Sequence, residues 1–198
     1  MASWLWGGRL RRVALLALLT TAACGPDEAG LQDYGALGGD FSLTDAAGRP
    51  FRLTELGGSA VLLFFGYTYC PDYCPVTLSR LGAVLDQLGR EREGLRIVLV
   101  TVDPGRDTPE VLRQYLAPFA VGAIGLTGTQ AQIDSVAAQY GVTHERRAGG
   151  TPAGYLVDHS TYVFLLDGRG RLRSIFRHGD PVETLVATVR RVLREPGG

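Results

Sequence analysis

The stretch that decides the fold is Ala60-Val61-Leu62-Leu63-Phe64-Phe65-Gly66-Tyr67-Thr68-Tyr69-Cys70-Pro71-Asp72-Tyr73-Cys74-Pro75. From Ala60 to Gly66 it is continuously apolar, the mark of a strand covered on both faces of a sheet. Beyond the cysteines, Leu78, Leu81, Leu85 and Leu88 recur at spacings of three, four and three, which predicts an amphipathic helix from Pro75 to about Arg92. A buried strand feeding a helix through a loop with two cysteines places them beyond the carboxyl end of the strand. That is where open α/β sheets hold their ligands.

Working outward, Leu95–Val102 reads as a second buried strand and Asp103-Pro104-Gly105-Arg106-Asp107 as a turn. Thr108 and Pro109 open a helix to about Phe119, a capping hydroxyl followed by proline at the first helical position. A short apolar piece near Ile124, a helix from Thr129 to Tyr140 and a weak segment around Val142 follow. Tyr155–Val157 and Thr161–Leu166 read as strands, Asp167-Gly168-Arg169-Gly170 as a hairpin turn, and Leu172–Arg177 as the returning strand. Val182, Leu185, Val186, Val189 and Leu193 mark a closing helix. Upstream, Phe41–Thr44 and Phe51–Leu53 alternate around Asp45–Pro50 as a β-hairpin. The order hairpin, β, α, β, α, α, β, β, α predicts an α/β sandwich with a central mixed sheet, helices on both faces and an N-terminal hairpin, a thioredoxin-like arrangement.

The chain has 198 residues, 45% hydrophobic and 20% charged, which excludes a disordered chain and a polytopic membrane protein. Basic and acidic residues balance at 20 each, and no basic run with aromatics follows the first twelve residues, so nucleic acid is not an expected partner. Arg9, Arg11 and Arg12 precede an apolar run, Val13 to Ala23, of 11 residues, against the roughly 20 needed to span a bilayer. Residues 1–23 are expected to be a signal peptide, residues 24–39 a Gly- and Asp-rich tether, and residues 40–198 the domain. Thr21-Ala22-Ala23-Cys24 resembles a bacterial lipobox, with Thr21 where a large aliphatic residue is usual. Cys24 is then either the lipid acceptor or an incidental residue of a discarded signal, and an uncleaved signal anchor is the other mode of attachment. Cleavage before Cys24 leaves 17 basic residues against 20 acidic ones, a slightly acidic exported domain of about −3.

Cys70 and Cys74 stand where a helix N-terminus favours a thiolate. Two helical residues at this spacing hold their Cβ atoms roughly 5–6 Å apart. A disulfide needs about 3.5–4.5 Å, so the pair closes only if Cys70 retains freedom in the loop. Such a pair suits both redox change and metal capture, and a static disulfide or two buried thiols is the plain structural reading. A metal needs a third donor, and His144, His159 and His178 are available. His159, in Val157-Asp158-His159-Ser160, falls beside the cysteine loop in this topology, whereas His144 and His178 sit in polar sequence and read as solvated. Two sulfurs with one imidazole favour copper; zinc more often takes a fourth protein ligand or an open water position. Asp72 either tunes the charge of the site or serves the helix start. Asp103 and Asp107 either shape a docking loop or serve the turn and cap.

Four ordered motifs carry a resemblance: Phe65-Gly66-Tyr67-Thr68-Tyr69-Cys70-Pro71-Asp72-Tyr73-Cys74-Pro75, Val102-Asp103-Pro104-Gly105-Arg106-Asp107-Thr108-Pro109-Glu110, Gly125-Leu126-Thr127-Gly128 and Val157-Asp158-His159-Ser160. Together they resemble the Sco/SenC copper-chaperone family over about Gly39 to Leu193. The resemblance implies a thioredoxin-like fold, membrane attachment outside the cytoplasm, and assembly of the dinuclear copper centre of cytochrome c oxidase subunit II. By position, Cys70, Cys74 and His159 match the family's copper ligands. The departure is in the anchor, a lipoprotein-like signal in place of a clear transmembrane helix. The expected protein is a monomeric copper metallochaperone facing the periplasm, with a copper donor and subunit II as partners. The alternative is a thiol–disulfide oxidoreductase using Cys70 and Cys74 as its redox pair. Against it stand a three-residue spacer, where redox thioredoxins use two, and a histidine that a pure exchanger does not need.

Overall fold

In a computed structural model, the structure describes Met1, residues 31–32, 34–149 and 154–195. The expected signal peptide, Cys24 and the first part of the expected tether lie outside the described residues.

The apolar run at the centre of the chain forms β3 (Ala60–Gly66), buried along its whole length. Its side chains alternate between two faces, as the strand period of two requires. Val61, Leu63 and Phe65 pack with Phe41, Leu43, Ile133, Tyr140 and Phe164, while Ala60, Leu62 and Phe64 pack with Leu78, Leu81, Leu112, Leu185 and Val189. Beside β3, β4 (Leu95–Thr101) runs parallel, and β5 (Ile124–Thr127) runs parallel to β4. On the other side, β8 (Val163–Leu166) and β9 (Leu172–Phe176) add antiparallel strands. The hairpin β1 (Ser42–Asp45) and β2 (Pro50–Arg52) joins the sheet through β1 antiparallel to β5, giving the order β2-β1-β5-β4-β3-β8-β9.

Helices α1 (Tyr73–Leu88), α2 (Pro109–Leu116) and α4 (Val182–Leu193) cover one face; α3 (Gln130–Gln139) covers the other. The predicted sandwich with helices on both faces is the observed one. The C-terminal part of the segment read as a tether is fastened to the domain: the Tyr140 hydroxyl donates to the Gly39 carbonyl at 2.9 Å, and Gln139 Nε2 to that of Gly38 at 3.0 Å. Among the described residues no helix is long and apolar enough to cross a membrane.

The structure departs from the expected order by the strand β5 between α2 and α3 and by a ribbon strand at His144–Ala148, and several element ends shift by a few residues. Helix α1 begins at Tyr73, not Pro75, because proline is tolerated in a first turn where no N–H is needed. Cys74 is therefore helical. The same helix stops at Leu88, where Gly89 takes φ 56°, and 3₁₀ turns carry the chain to Gly94. Finally, His144, read as part of a polar loop, belongs to β6 (His144–Ala148), which pairs with β7 (Tyr155–His159) in a separate antiparallel ribbon that places His144 opposite His159. No apolar alternation marks β6, since all but its first residue are exposed.

Candidate metal centre

The end of β3, the start of α1 and the end of β7 meet above the carboxyl edge of the sheet. Cys70 lies in the loop, its N–H donating to the Tyr67 carbonyl at 3.2 Å. Cys74 lies one turn on, and its N–H donates to Cys70 Sγ at 3.4 Å. His159 arrives at the end of β7 with Nε2 3.7 Å from Cys74 Sγ. The three donor atoms lie within 4.8 Å of one another, the two cysteines reduced and buried, the imidazole partly buried.

The two thiols are electrically unlike. A hydrogen bond from the Cys74 thiol, with the N–H groups of Cys74 and Asp72, holds Cys70 down to about 4 against the opposing effect of burial. The same bond, burial and the negative charge on Cys70 push Cys74 far up. The pair is thus polarised, Cys70 toward the thiolate and Cys74 toward the thiol. Nδ1 of His159 faces the Ser160 carbonyl oxygen at 3.0 Å, an acceptor only, so Nδ1 carries the proton and the Nε2 lone pair is turned toward Cys74.

Neighbouring residues make this arrangement possible. A Cβ at Gly66 would sit 2.6 Å from Cys74 Sγ, so only glycine leaves room for the thiol there. The buried Tyr67 accepts the Val157 N–H at 3.1 Å through its hydroxyl and sets its ring edge-on to His159 at 5.7 Å, tying β7 to the cysteine loop. Asp107, fully buried, accepts from the Thr68 N–H at 3.0 Å, the Thr68 hydroxyl at 2.6 Å and the Thr101 hydroxyl at 2.6 Å. It therefore pins the loop before Cys70 to the end of β4. Asp103, also buried, accepts from the Tyr155 hydroxyl at 2.7 Å and pairs with Arg106, whose guanidinium stacks 3.6 Å from the Tyr155 ring. Both aspartates thus link loops around the site. Asp72 is exposed at the N-cap and makes no side-chain cap bond.

The structure brings together Cys70, Cys74 and His159 and leaves the other histidines out. His144 pairs with Asp134, Nε2 to Oδ1 3.2 Å, and His178 packs against Tyr73. Sequence reasoning did not single out Gly66 or Tyr67 as site residues. Gly66 carried one signal, a glycine ending a fully buried strand; Tyr67 carried none, because its partner lies on a distant strand.

The donor set fits a soft metal ion. A void of about 10 Å³, near the size of one water, lies beside Cys74 and His159. Bonds of roughly 2.0–2.3 Å set three donors spread around one ion about 3.7–4.0 Å apart, so the cluster, within 4.8 Å as it stands, closes by about an ångström or less around an ion.

The profile of the SCO1/SenC family matches residues 29–194. The chain is 36% identical to the SCO2-like protein of Rickettsia felis over 156 residues, covering 78% of this chain and 76% of that one. To the mitochondrial protein SCO2 of Saccharomyces cerevisiae it is 42% identical over 139 residues, 69% of this chain and 46% of that one. The fold superposes on the copper-bound structure of ScoI from Bradyrhizobium japonicum with a TM-score of 0.72 at 35% identity, over 80% of this chain and 100% of that one.

Proposed function

The chain belongs to the SCO1/SenC family, and from that premise we propose that it is a copper metallochaperone that carries one copper ion on Cys70, Cys74 and His159. The observation that supports this most directly is the convergence of two sulfurs and one imidazole nitrogen within 4.8 Å. Copper is cargo here. Cys70, already a thiolate, is the first donor; Cys74 joins by losing its proton, and His159 offers Nε2 in the tautomer already set by Ser160. Three protein donors leave a further coordination position on the ion for an incoming ligand, so transfer by ligand exchange is open. The acceptor is the dinuclear copper centre of cytochrome c oxidase subunit II, and a separate donor supplies the ion. The domain works as a monomer outside the cytoplasm, held to the membrane by lipid on Cys24 or by its uncleaved signal.

Anaerobic Cu(I) titration of the reduced protein tests the reading: one copper per chain is expected. His159→Ala should weaken binding by at least the roughly 10–100-fold typical of outer-shell changes, with the Cys70–Cys74 disulfide still able to form. Unchanged affinity in that variant removes His159 as a ligand.

A second reading draws on the unlike thiols. The Cys70 thiolate attacks a disulfide of an exported protein, and Cys74 gives up its proton and displaces the mixed disulfide, leaving the partner with two thiols and this chain oxidised. Turnover as a disulfide reductase without copper, at the rate of a dedicated oxidoreductase, favours it. The two roles are compatible, since a copper acceptor must have its thiols reduced.

A further inference from the structure

Next to the donor cluster stands a second histidine that takes no part in it. Tyr73 is the first residue of α1, between the two cysteines, and 48% of it is exposed. With Tyr162, 40% exposed, it walls the void beside Cys74 and His159. Cys74 itself is only 1% exposed, and these two rings are the exposed members of the void's lining. The two walls are anchored differently. Tyr162 rests edge-on against Phe164 of the core strand β8 at 6.4 Å. Tyr73 sits in a first helical turn and meets the imidazole of His178 edge-on, ring centroids 4.8 Å apart at 81°. A half-exposed ring gains little from burial where it stands; the partner ring is what holds its position.

His178 is itself placed. It lies in the turn between β9 and α4, closed by the Arg177 N–H donating to Asp180 Oδ2 at 2.8 Å and the Asp180 N–H to the Arg177 carbonyl at 3.1 Å. Arg80 of α1 donates to the Asp180 carbonyl, so the turn is tied to the helix that carries Tyr73.

We propose that Tyr73 is the gate of the metal centre and that His178 is the positioning residue that holds it closed. The donors set how tightly an ion is held. Tyr73 and His178 touch none of them by hydrogen bond, so the pair sets how fast an ion or a thiol reagent enters and leaves. The copper arm of the test rests on the function proposed above; the thiol arm does not.

For the copper arm, the full chain carrying one Cu(I) is mixed with excess bathocuproine disulfonate, and copper loss is followed by absorbance. Removing an aromatic pair of this kind shifts an open–closed balance by roughly two- to twelvefold. His178→Ala and Tyr73→Ala should speed loss by that factor with equilibrium Cu(I) affinity unchanged, and His178→Phe, which restores a ring, should return the rate to that of the parent. For the thiol arm, Cys70→Ser is the background, and iodoacetamide modification of Cys74 is read by peptide mass; the same ordering of rates is expected. Parent rates in both alanine variants overturn the gate. An affinity loss in His178→Ala matching that of His159→Ala makes His178 a ligand and overturns it as well. A protein that takes up no copper but shows the expected Cys74 rates sinks the copper reading and sustains the gate.

Discussion

At the scale of single residues, the site depends on small steric and protonic facts. Gly66→Ala places a carbon 2.6 Å from Cys74 Sγ, so the thiol must leave its place beside His159. That variant should fold, as judged by circular dichroism, while its Cu(I) affinity in competition titration falls by about tenfold or more, the size of effect seen when ligand geometry is disturbed. The polarisation of the two thiols is testable through pH. Because Cys70 reacts as its thiolate and is held down to about 4, its alkylation rate should stay level from neutral pH down to about 5 and fall as pH drops through about 4. Cys74→Ala removes the first cause of that depression, and the midpoint should rise toward the ordinary thiol value of about 8.5. Rates measured across pH by peptide mass decide both. Of these residues, the cysteines were legible from their spacing at a strand–helix junction. The asymmetry between them was not, since it depends on which sulfur receives the hydrogen bond.

At the scale of elements, the loop between β3 and α1 is held by Asp107 from the turn before α2. Asp107→Ala strips a partner from the part-buried Thr68 N–H and hydroxyl and from the buried Thr101 hydroxyl, which left unsatisfied costs about 1–3 kcal/mol. Urea unfolding should show a loss of that order, and amide exchange at Thr68 should quicken more than exchange in β3. The sequence reading of Asp103 and Asp107 left a docking loop and the turn and cap open; the structure shows both linking loops within the domain, Asp107 through Thr68 and Asp103 through Tyr155. Elements with a one-sided or continuous apolar pattern, β3, β4, α2 and α4, were legible because burial writes a period into the chain. β6 was not, because an exposed ribbon strand buries no face and so leaves no period.

At the scale of the whole molecule, two apolar layers on either side of β3 and β4 keep the site's three supports in register. Leu63, fully buried in one layer, should cost about 2–5 kcal/mol when changed to Ala, measured as a lowered urea midpoint, with copper stoichiometry unchanged in the protein that remains folded. The folded centre gathers three donors that the unfolded chain leaves apart, so saturating copper should raise the thermal midpoint, and the rise should shrink in His159→Ala. The sequence by itself determined the strand–loop–helix unit, the mixed sheet between helices, and the pair Cys70 and Cys74, because these follow from patterns within a few residues. Its topology also pointed to His159. What only the tertiary structure decided is the encounter: His159 Nε2 brought to Cys74 across 85 residues of chain, its tautomer set by Ser160, the two thiols pushed in opposite directions, and His178 set against Tyr73. The physical reason is that local periodicity records which side chains are buried, whereas the distance between two side chains on separate elements depends on the path of everything that packs between them.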